Sequence, residues 1–291
     1  MEIKKAIIPV AGFGTRMFPL TKTIPKEMLP VYNRPAIQYI IEEAVDSGIE
    51  KILLITRGDK DSIEDHFDIQ NHWLNRLSGK QKDEEHRIRC ILDRCNIFYK
   101  RQGEIKGLGH AILQGASFVD DEYFAVLLGD DVIYDEDPCI GQLIRVFEKY
   151  QSSIIGTKRV SKNEVFKYGV IDGVEKEKGI TQIHEIIEKP SVEATKNNLV
   201  TQGRYILSPK IFEILKKIKP GVDDEIQLTD ALDQLAKKES MYSYEFKGKR
   251  YDLGNELGIL KAFIEFALRD RTNREQTKNY LKELHEKHYE I

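Results

Sequence analysis

Cysteine and tryptophan are scarce in this sequence, whose 291 residues include three cysteines and one tryptophan. The cysteines, Cys90, Cys95 and Cys139, are an odd number without the regular spacing of a disulfide framework. This excludes a small disulfide-stabilised scaffold and favours a reducing compartment. Cys90 and Cys95 also lack the C-x-x-C spacing of a zinc site, so structural zinc is not expected.

An excess of one charge is also missing. The chain carries 45 Lys and Arg against 48 Asp and Glu, a formal net charge of −3, which argues against a nucleic-acid-binding surface. No apolar stretch reaches the length of a membrane span, and the chain opens on a strand pattern instead of a targeting segment. We therefore expect a soluble, cytoplasmic protein with neither nucleic acid nor membrane as a partner.

The residues that are present form alternating strand and helix patterns. Strands are predicted over 6–10, 51–56, 96–100 and 123–128, and from weaker patterns over 152–160, 170–171, 180–187, 203–207 and 242–246. Helices are predicted from Pro35, over 61–76 with Ile63, Phe67, Trp73 and Leu77 facing inward, over 111–118, near Pro138, and over 210–217 and 225–237. Strand–helix–strand units require parallel pairing. The sequence thus predicts an α/β fold with a Rossmann-like, mixed, mostly parallel sheet flanked by helices.

The chain divides into a main region and a C-terminal helical arm. Segment 79–89 is charged and expected to be exposed. Beyond residue 255, Leu260, Ile264 and Leu268 mark one helix, and a polar, mixed-charge helix follows with Tyr280 and Leu284 on one side. We expect an α/β domain over 1–255 and an arm over 256–291 that serves packing or oligomerisation.

The loop after the first strand carries the clearest chemistry. The run Ala11-Gly12-Phe13-Gly14-Thr15-Arg16 can turn sharply and bring backbone N–H groups close to a ligand. A dinucleotide fingerprint is excluded because its third glycine would fall at Met17, and a P-loop is excluded because no lysine follows Gly14. What remains is a phosphate-binding loop with its own cations: Arg16 can grip phosphate oxygens bidentately, while Lys22 and Lys26 act as point charges. An ordinary turn with a solvated basic rim is the alternative.

The run G-F-G-T-R-M-x-P-L-T-K-x-x-P-K-E-M-L-P resembles the signature of the sugar-1-phosphate nucleotidylyltransferases. The match looks closest to the bacterial members that act on UTP and glucose 1-phosphate. The resemblance implies nucleotide binding by residues of this loop and of a later loop, 101–110, whose Gln and Gly face the pyrimidine. The implied nucleotide-binding residues are Ala11, Gly12, Gly14, Thr15, Glu27, Gln102 and Gly107. Without the resemblance, Gln102 could equally be a solvated loop amide; His110 is expected to be structural.

Two aspartates are candidate metal ligands. Asp130 follows a buried strand and a glycine, where a carboxylate can hold Mg²⁺ against triphosphate oxygens. Capping of the helix near Pro138, by Asp130 or by Asp131, is the alternative role. Arg250-Tyr251-Asp252-Leu253-Gly254 resembles the family's R-Y-D-x-G motif, which implies that Asp252 supplies the second metal carboxylate. The role of Asp131 is left open.

The second half resembles the family's sugar-binding half. Tyr168-Gly169-Val170 precedes Glu188-Lys189-Pro190, and the resemblance implies that Gly169 and Glu188 contact the hexose while Lys189 meets the sugar phosphate. Taken alone, E-K-P is typical of a solvated turn.

The reaction implied is transfer of UMP from UTP to glucose 1-phosphate with release of pyrophosphate. Its nucleophile is a phosphate oxygen with a second pKa of about 6, so no general base is needed. Arg16, Lys26 and Lys189 are the predicted catalytic residues, and Mg²⁺ is the predicted cofactor. The alternatives are a thymidylyl- or other sugar-1-phosphate nucleotidylyltransferase, and a non-catalytic sugar-nucleotide sensor. The family and the arm predict a homodimer or homotetramer.

Overall fold

A central sheet organises the structure, which was obtained as a computed structural model and describes residues 1–69, 74–195, 197–221 and 224–288. The strands are β1 (Lys5–Pro9), β2 (Pro30–Val31), β3 (Arg34–Pro35), β4 (Lys51–Thr56), β5 (Asn96–Arg101), β6 (Phe124–Leu127), β7 (Asp131–Tyr134), β8 (Ser153–Arg159), β9 (Gly169–Glu177), β10 (Ile180–Glu188), β11 (Leu199–Leu207), β12 (Met241–Glu245) and β13 (Lys249–Asp252). Nine of them form one sheet in the order β5-β4-β1-β6-β11-β8-β12-β10-β9.

The sheet is mixed and mostly parallel, as predicted. Strands β5, β4, β1 and β6 are parallel neighbours, and β8 pairs in parallel with β12. Strands β11 and β10 run against their neighbours, so they oppose the direction of the others in this sheet. The parallel strands bring their carboxyl ends to one edge, which is where ligands bind in open α/β sheets.

Helices cover both faces of the sheet. They are α1 (Ala36–Asp46), α2 (Asp61–Phe67), α3 (Lys80–Arg94), α4 (Leu108–Leu113), α5 (Ala116–Val119), α6 (Cys139–Tyr150), α7 (Ile211–Leu215), α8 (Leu228–Ala236), α9 (Glu256–Arg269) and α10 (Arg274–His288). Strand β1 illustrates the layering: Ile8 packs in a core cluster with α1, α6 and α9, whereas Ile7 packs in a second cluster with α4, α7 and α8. Both side chains are fully buried, which explains the uncharged run.

Two helix predictions need correction. The helix predicted over 61–76 ends at Phe67, because Asp68 adopts an extended backbone; Ile63 and Phe67 are buried as predicted, and Trp73 lies outside the described residues. The helix predicted over 111–118 is two short helices, α4 and α5, separated around Gly115. A side chain at Gly115 would meet Ile7 at 2.2 Å, so this glycine lets the helices approach β1 closely.

The short strands β7 and β13 form a separate antiparallel pair, which the sequence did not predict. Asp131 lies opposite Asp252 in its register, and Tyr134 lies opposite Lys249. Strand β7 follows directly after β6, so this pair carries the R-Y-D motif to the carboxyl edge of the main sheet. Residues far apart in sequence therefore meet beside the parallel strands.

The C-terminal arm packs on the main region through its first helix, α9. Ala262 and Phe266 of α9 are buried, and the Phe266 ring contacts Tyr39, Tyr134 and Tyr251 edge-on. Helix α10 is polar and has no side chain classed as buried among those described. Across the described part of the chain, no helix combines the length and apolar character needed to cross a membrane.

Candidate active site

Two adjoining cavities lie at the carboxyl edge of the parallel strands. The first, here the glycine-loop cavity, has a volume of about 400 Å³ and is lined by Pro9, Ala11, Gly12, Arg16, Lys26, Glu27, Gln102, Ile105, Gly107, Leu108, Ala111, Leu128, Gly129, Asp130 and Glu225. The second, here the strand-pair cavity, measures about 280 Å³ and is lined by Arg16, Leu108, Leu128, Asp130, Asp131, Lys167, Tyr168, Gly169, Glu188, Thr201, Gly203, Tyr205, Gln227, Leu228, Thr229, Arg250 and Asp252. Arg16 and Asp130 line both, so they mark the border between the cavities.

The loop after β1 folds back on itself through three short 3-10 turns. Gly14 has φ +68°, and a Cβ there would lie 3.0 Å from the Thr21 side chain. The Thr21 hydroxyl donates to the Gly14 carbonyl at 2.8 Å, which closes the loop. The fold places Arg16 on the cavity border. Within the described residues its guanidinium has no hydrogen-bond or ion-pair partner, so its donors remain available to a ligand.

Lys26 and Asp130 form an ion pair at the border, with Nζ 2.6 Å from Oδ2. Burial lowers the pKa of Lys26, but the Asp130 and Glu27 carboxylates raise it by more, so its net shift is upward. Burial raises the pKa of Asp130, but Lys26, Arg250 and a backbone hydrogen bond together lower it by more, and its net shift is downward. Both groups are therefore charged before any ligand arrives.

Glu27 is fully buried beneath the glycine-loop cavity. Its Oε2 accepts a hydrogen bond from Lys60 Nζ at 2.7 Å, and the same ammonium donates to the Val10 carbonyl. In the described structure Oε1 of Glu27 has no hydrogen-bond partner, which leaves an acceptor at the predicted nucleotide site. Burial raises the pKa of Glu27 and lowers that of Lys60. Sequence reasoning missed Lys60, because no local pattern distinguishes it from a solvated lysine.

Gln102 and Gly107 lie together in the glycine-loop cavity, as predicted. Gln102 is only 5% exposed, so the alternative of a solvated loop amide is wrong. Its side-chain amide lies 2.6 Å from His110 Nδ1, a contact that orients it. Gly107 has φ +93°, and a Cβ there would come within 2.9 Å of the Ile226 carbonyl oxygen; the loop therefore requires glycine at this position.

The β7–β13 pair brings Asp130 and Asp252 together. The Leu253 N–H donates to the Asp130 carbonyl at 2.9 Å, and the Gly254 N–H donates to Asp252 Oδ1 at 2.8 Å. Helix α6 begins near Pro138, and neither Asp130 nor Asp131 caps its first turn; Glu43 accepts from the Ile140 N–H instead. The alternative role of Asp130 as a helix cap is therefore wrong.

The carboxylates of Asp130 and Asp252 suit a hard divalent cation that also binds oxygens of a ligand. Within the described ranges, no group of three or more His, Cys, Asp or Glu side chains forms a complete metal site. Asp130 and Asp252 nevertheless line one cavity. Magnesium is typically held by one or two carboxylates plus substrate phosphates, so two carboxylates beside an anion-binding loop fit it.

The predicted sugar residues separate into two that face the cavity and one at its margin. Gly169 and Glu188 are register partners of β9 and β10, and both line the strand-pair cavity. Lys189 follows with φ +44° and donates its N–H to the Tyr168 carbonyl at 3.0 Å. Its side chain is 43% exposed, with Nζ 3.7 Å from Glu188, and it is not part of the cavity wall described above.

Behind the strand-pair cavity lies a buried ionic network. Arg204 is fully buried and donates to both oxygens of Glu43 at 2.9 and 2.8 Å. It also donates to the Asp131 carbonyl at 2.7 Å. The Asp131 carboxylate accepts from Arg250 Nη2 at 2.5 Å. Asp131, whose role the sequence left open, is thus a buried link between the core and the cavity wall.

The chain is similar in sequence and in structure to known proteins. The family model described as Nucleotidyl transferase matches residues 5–269. A UTP–glucose-1-phosphate uridylyltransferase from Staphylococcus haemolyticus is 46% identical over 97% of this chain and 99% of that protein. A crystal structure of a UDP-glucose pyrophosphorylase complexed with UDP-glucose superposes with a TM-score of 0.86, at 44% identity, over 92% of this chain and 99% of that one. A UTP-bound UGPase from Acinetobacter baumannii gives a TM-score of 0.86 at 36% identity, covering 97% and 99% of the two chains.

A glycine-rich loop and two carboxylates meet at the carboxyl edge of this sheet, and the family model that matches most of the chain identifies the class of protein as nucleotidyl transferases. The chain belongs to the nucleotidyl transferase family. Two relatives of similar length, which are 46% and 45% identical to it, are named UTP–glucose-1-phosphate uridylyltransferase.

Proposed function

We propose that this enzyme transfers UMP from UTP to α-D-glucose 1-phosphate, giving UDP-glucose and pyrophosphate. The observation that carries the proposal is the pair of adjoining cavities with Arg16 and Asp130 on their common border. Such a border is where the α-phosphate of a nucleotide in one cavity would meet the phosphate of a sugar in the other. The named relatives support the same two substrates.

The main barrier to this reaction is repulsion between two anions, since the attacking phosphate is already ionised at neutral pH. Catalysis therefore consists of positioning and charge neutralisation. We assign Arg16 to the departing β- and γ-phosphates, because its guanidinium is unpaired in the described structure. Lys26 is assigned to the reacting phosphates and Lys189 to the sugar phosphate. Lys26 is held at the border by Asp130, whereas Lys189 has the freedom to approach from the margin.

Asp130 and Asp252 would hold Mg²⁺ together with triphosphate oxygens. The bound cation would supply charge neutralisation and fix the triphosphate geometry. Lys26 and Arg16 add fixed positive charge from the protein side. The carboxylates contribute no proton to the reaction, and their role is to remain ionised, as the lowered pKa of Asp130 favours.

The remaining assignments follow the two cavities. Nucleotide binding is assigned to Ala11, Gly12, Glu27, Gln102 and Gly107, which line the glycine-loop cavity, and to Gly14 and Thr15, which belong to the same loop but do not line the cavity. Hexose binding is assigned to Gly169 and Glu188 in the strand-pair cavity. Gln102 is buried and held by His110, which suits recognition of a base edge by hydrogen bonds.

The decisive experiment is release of pyrophosphate from UTP and glucose 1-phosphate with Mg²⁺, with UDP-glucose identified as the product. Comparing UTP, dTTP, CTP and GTP separates uridylyl transfer from thymidylyl or other nucleotidyl transfer. Binding of both substrates without pyrophosphate release would support the sensor alternative and contradict the proposal.

We also propose a homodimer or homotetramer in which the arm, 256–291, takes part as a unit distinct from the domain over 1–255. Leu257, Leu260 and Tyr280 are between 54 and 60% exposed on the two arm helices, an apolar content that suits subunit packing. The free thiols Cys90, Cys95 and Cys139 and the proposed use of UTP suit a cytoplasmic location.

A further inference from the structure

The strand-pair cavity contains an arginine to which no role is yet assigned. Arg250 lies on β13, and its side chain is 17% exposed on the cavity wall. Its guanidinium lies over the Tyr168 ring, 5.6 Å from the ring centre. Its Nη1 is 3.5 Å from the Tyr168 hydroxyl. Arg250 thus stands beside the segment that carries Gly169.

We propose that Arg250, oriented by Asp131, recognises the hexose: its guanidinium donates a hydrogen bond to a hydroxyl of the sugar 1-phosphate. This inference rests on the proposed function, because it assumes that a hexose 1-phosphate occupies the strand-pair cavity. Arg250 is the residue that contacts substrate, and Asp131 is a positioning residue that acts through it.

Asp131 is fixed from two sides, so it can hold Arg250 rigidly. Its carbonyl accepts from the fully buried Arg204, which is paired with Glu43. Its carboxylate lies against Gly203, which has φ +67° and at which a Cβ would be 2.4 Å from Asp131 Oδ2. Only glycine leaves room for this carboxylate. A preorganised donor loses less conformational entropy when it binds a ligand.

Arg250 retains donors that the protein does not use. Nη2 is bonded to Asp131, but in the described structure Nε is buried and has no hydrogen-bond partner. Leaving a buried donor unpaired is costly, and such groups in native structures are commonly paired by a ligand or an ordered water. The second contact of the guanidinium, to the Tyr168 hydroxyl, is at the outer limit of hydrogen bonding. Because Nε is shielded from solvent, the donor left for an oxygen of a ligand in the cavity is Nη1.

Charge and position favour a hydroxyl over the phosphate as that oxygen. The Asp131 carboxylate neutralises Arg250, so the pair offers a donor with little net charge. Arg16, which has no partner among the described residues, lies on the border where the phosphates would meet. Arg250 lines only the strand-pair cavity, beside Gly169 and Glu188. It therefore faces the part of the substrate that lies away from the nucleotide.

The test uses Arg250→Gln with glucose 1-phosphate and its 2-, 3-, 4- and 6-deoxy analogues. A site built to bond a hydroxyl discriminates against the analogue that lacks it. We expect wild-type enzyme to use one analogue about tenfold less efficiently, the upper end of the range for one hydrogen bond. In Arg250→Gln the ratio of efficiencies on glucose 1-phosphate and on that analogue should approach one. KM for glucose 1-phosphate should rise, and KM for UTP should be unchanged. Asp131→Asn should reduce the same penalty in part.

Lys249→Gln is the matched control. Lys249 precedes Arg250 on the same strand, but it pairs with Glu265 and does not line the cavity. It should keep the wild-type penalty for every analogue. Should Asp131→Asn fail to fold, the Arg250→Gln profile still decides. An Arg250→Gln enzyme with the wild-type penalty for every analogue overturns the inference. An equal loss of efficiency on glucose 1-phosphate and on all its analogues also overturns it, because such a loss would place Arg250 on the phosphate. Failure of the proposed function is separate, since wild-type enzyme would then release no pyrophosphate.

Discussion

The two cavities are built from the chain in different ways. Much of the glycine-loop cavity comes from one continuous stretch, 9–27, completed by the segments at 102–111 and 128–130 and by Glu225. The strand-pair cavity collects residues from β7, β9, β10, β11 and β13. A contiguous motif can be recognised in a sequence, whereas a wall assembled from distant strands can be recognised only after folding.

Their charged groups are also arranged differently. On the glycine-loop side one cation reaches the surface: Arg16 is exposed and, among the described residues, unpaired, whereas Lys26 is paired with Asp130. On the strand-pair side Arg250 is held by Asp131, and Arg204 is buried against Glu43. The first arrangement is suited to capturing a mobile polyanion. The second is suited to holding a fixed shape around a neutral ring.

The largest effect is expected from Glu43→Leu, which removes the anchor of the strand-pair side. Arg204 is then left as an uncompensated charge with no exposure to solvent, and breaking a buried pair in this way costs about 3–5 kcal/mol. The free energy of unfolding, measured by urea denaturation, should fall by that amount. The double variant Glu43→Leu/Arg204→Met removes the stranded charge as well and should be more stable than Glu43→Leu alone. Equal or lower stability would contradict the account.

Asp130→Asn should have the next largest effect, because it acts where the cavities meet. The amide keeps the size of the side chain but removes the charge that pairs with Lys26 and suits a divalent cation. Removing a preorganised electrostatic group at a reacting centre lowers turnover by about 10²-fold. Initial rates across a Mg²⁺ titration should show this loss and a weaker dependence on the metal. Asp46→Asn, an exposed carboxylate paired with Arg94, should titrate like wild type. An unchanged Mg²⁺ profile for Asp130→Asn would remove Asp130 from the site.

The parts of the fold predicted from sequence are those with a strong local pattern. The β4 prediction matches residue for residue, because a short apolar run between polar residues defines a buried strand. Helix α3 was expected only as an exposed charged segment. It has a single buried side chain, Ile91, so no apolar stripe indicated it; ion pairs such as Glu85–Arg89, one turn apart, support it instead.

The same contrast holds for the site. The motifs predicted which residues reach the cavities, such as Gln102, Glu188 and Asp252, and the structure places all three on a cavity wall. Their partners were not predictable. Lys60 meets Glu27, and Arg250 meets Asp131 across a strand pair, and each contact joins residues distant in sequence that no periodicity relates.

A smaller effect, confined to the glycine-loop side, is expected from Arg16→Ala. Without the guanidinium the departing phosphates lose their partner, and turnover should fall by at least about tenfold, a barrier change of about 1.4 kcal/mol. Stability should be unaffected, because Arg16 is exposed and, within the described structure, bonds to no other residue. Single-turnover rates and thermal unfolding measure both. Arg145→Ala, at an exposed arginine paired with Asp137, controls for general loss of positive charge. A folded Arg16→Ala enzyme with wild-type turnover would refute the assignment.

The smallest effect should follow from His110→Phe, which tests whether the base is read by an oriented Gln102. Phenylalanine preserves a planar ring but removes the nitrogen that lies 2.6 Å from the Gln102 amide. Because a neutral hydrogen bond contributes about 1 kcal/mol, the preference for UTP over CTP in kcat/KM should fall by about fivefold. Turnover at saturating UTP should change little, since His110 lines neither cavity. Gln114→Ala removes a second side chain that contacts His110 and should leave the preference nearly intact. If His110→Phe discriminates UTP from CTP as well as wild type does, the buried position of Gln102 alone fixes its orientation. The orientation of Gln102 would then be set by the fold of its own loop, without a side-chain partner.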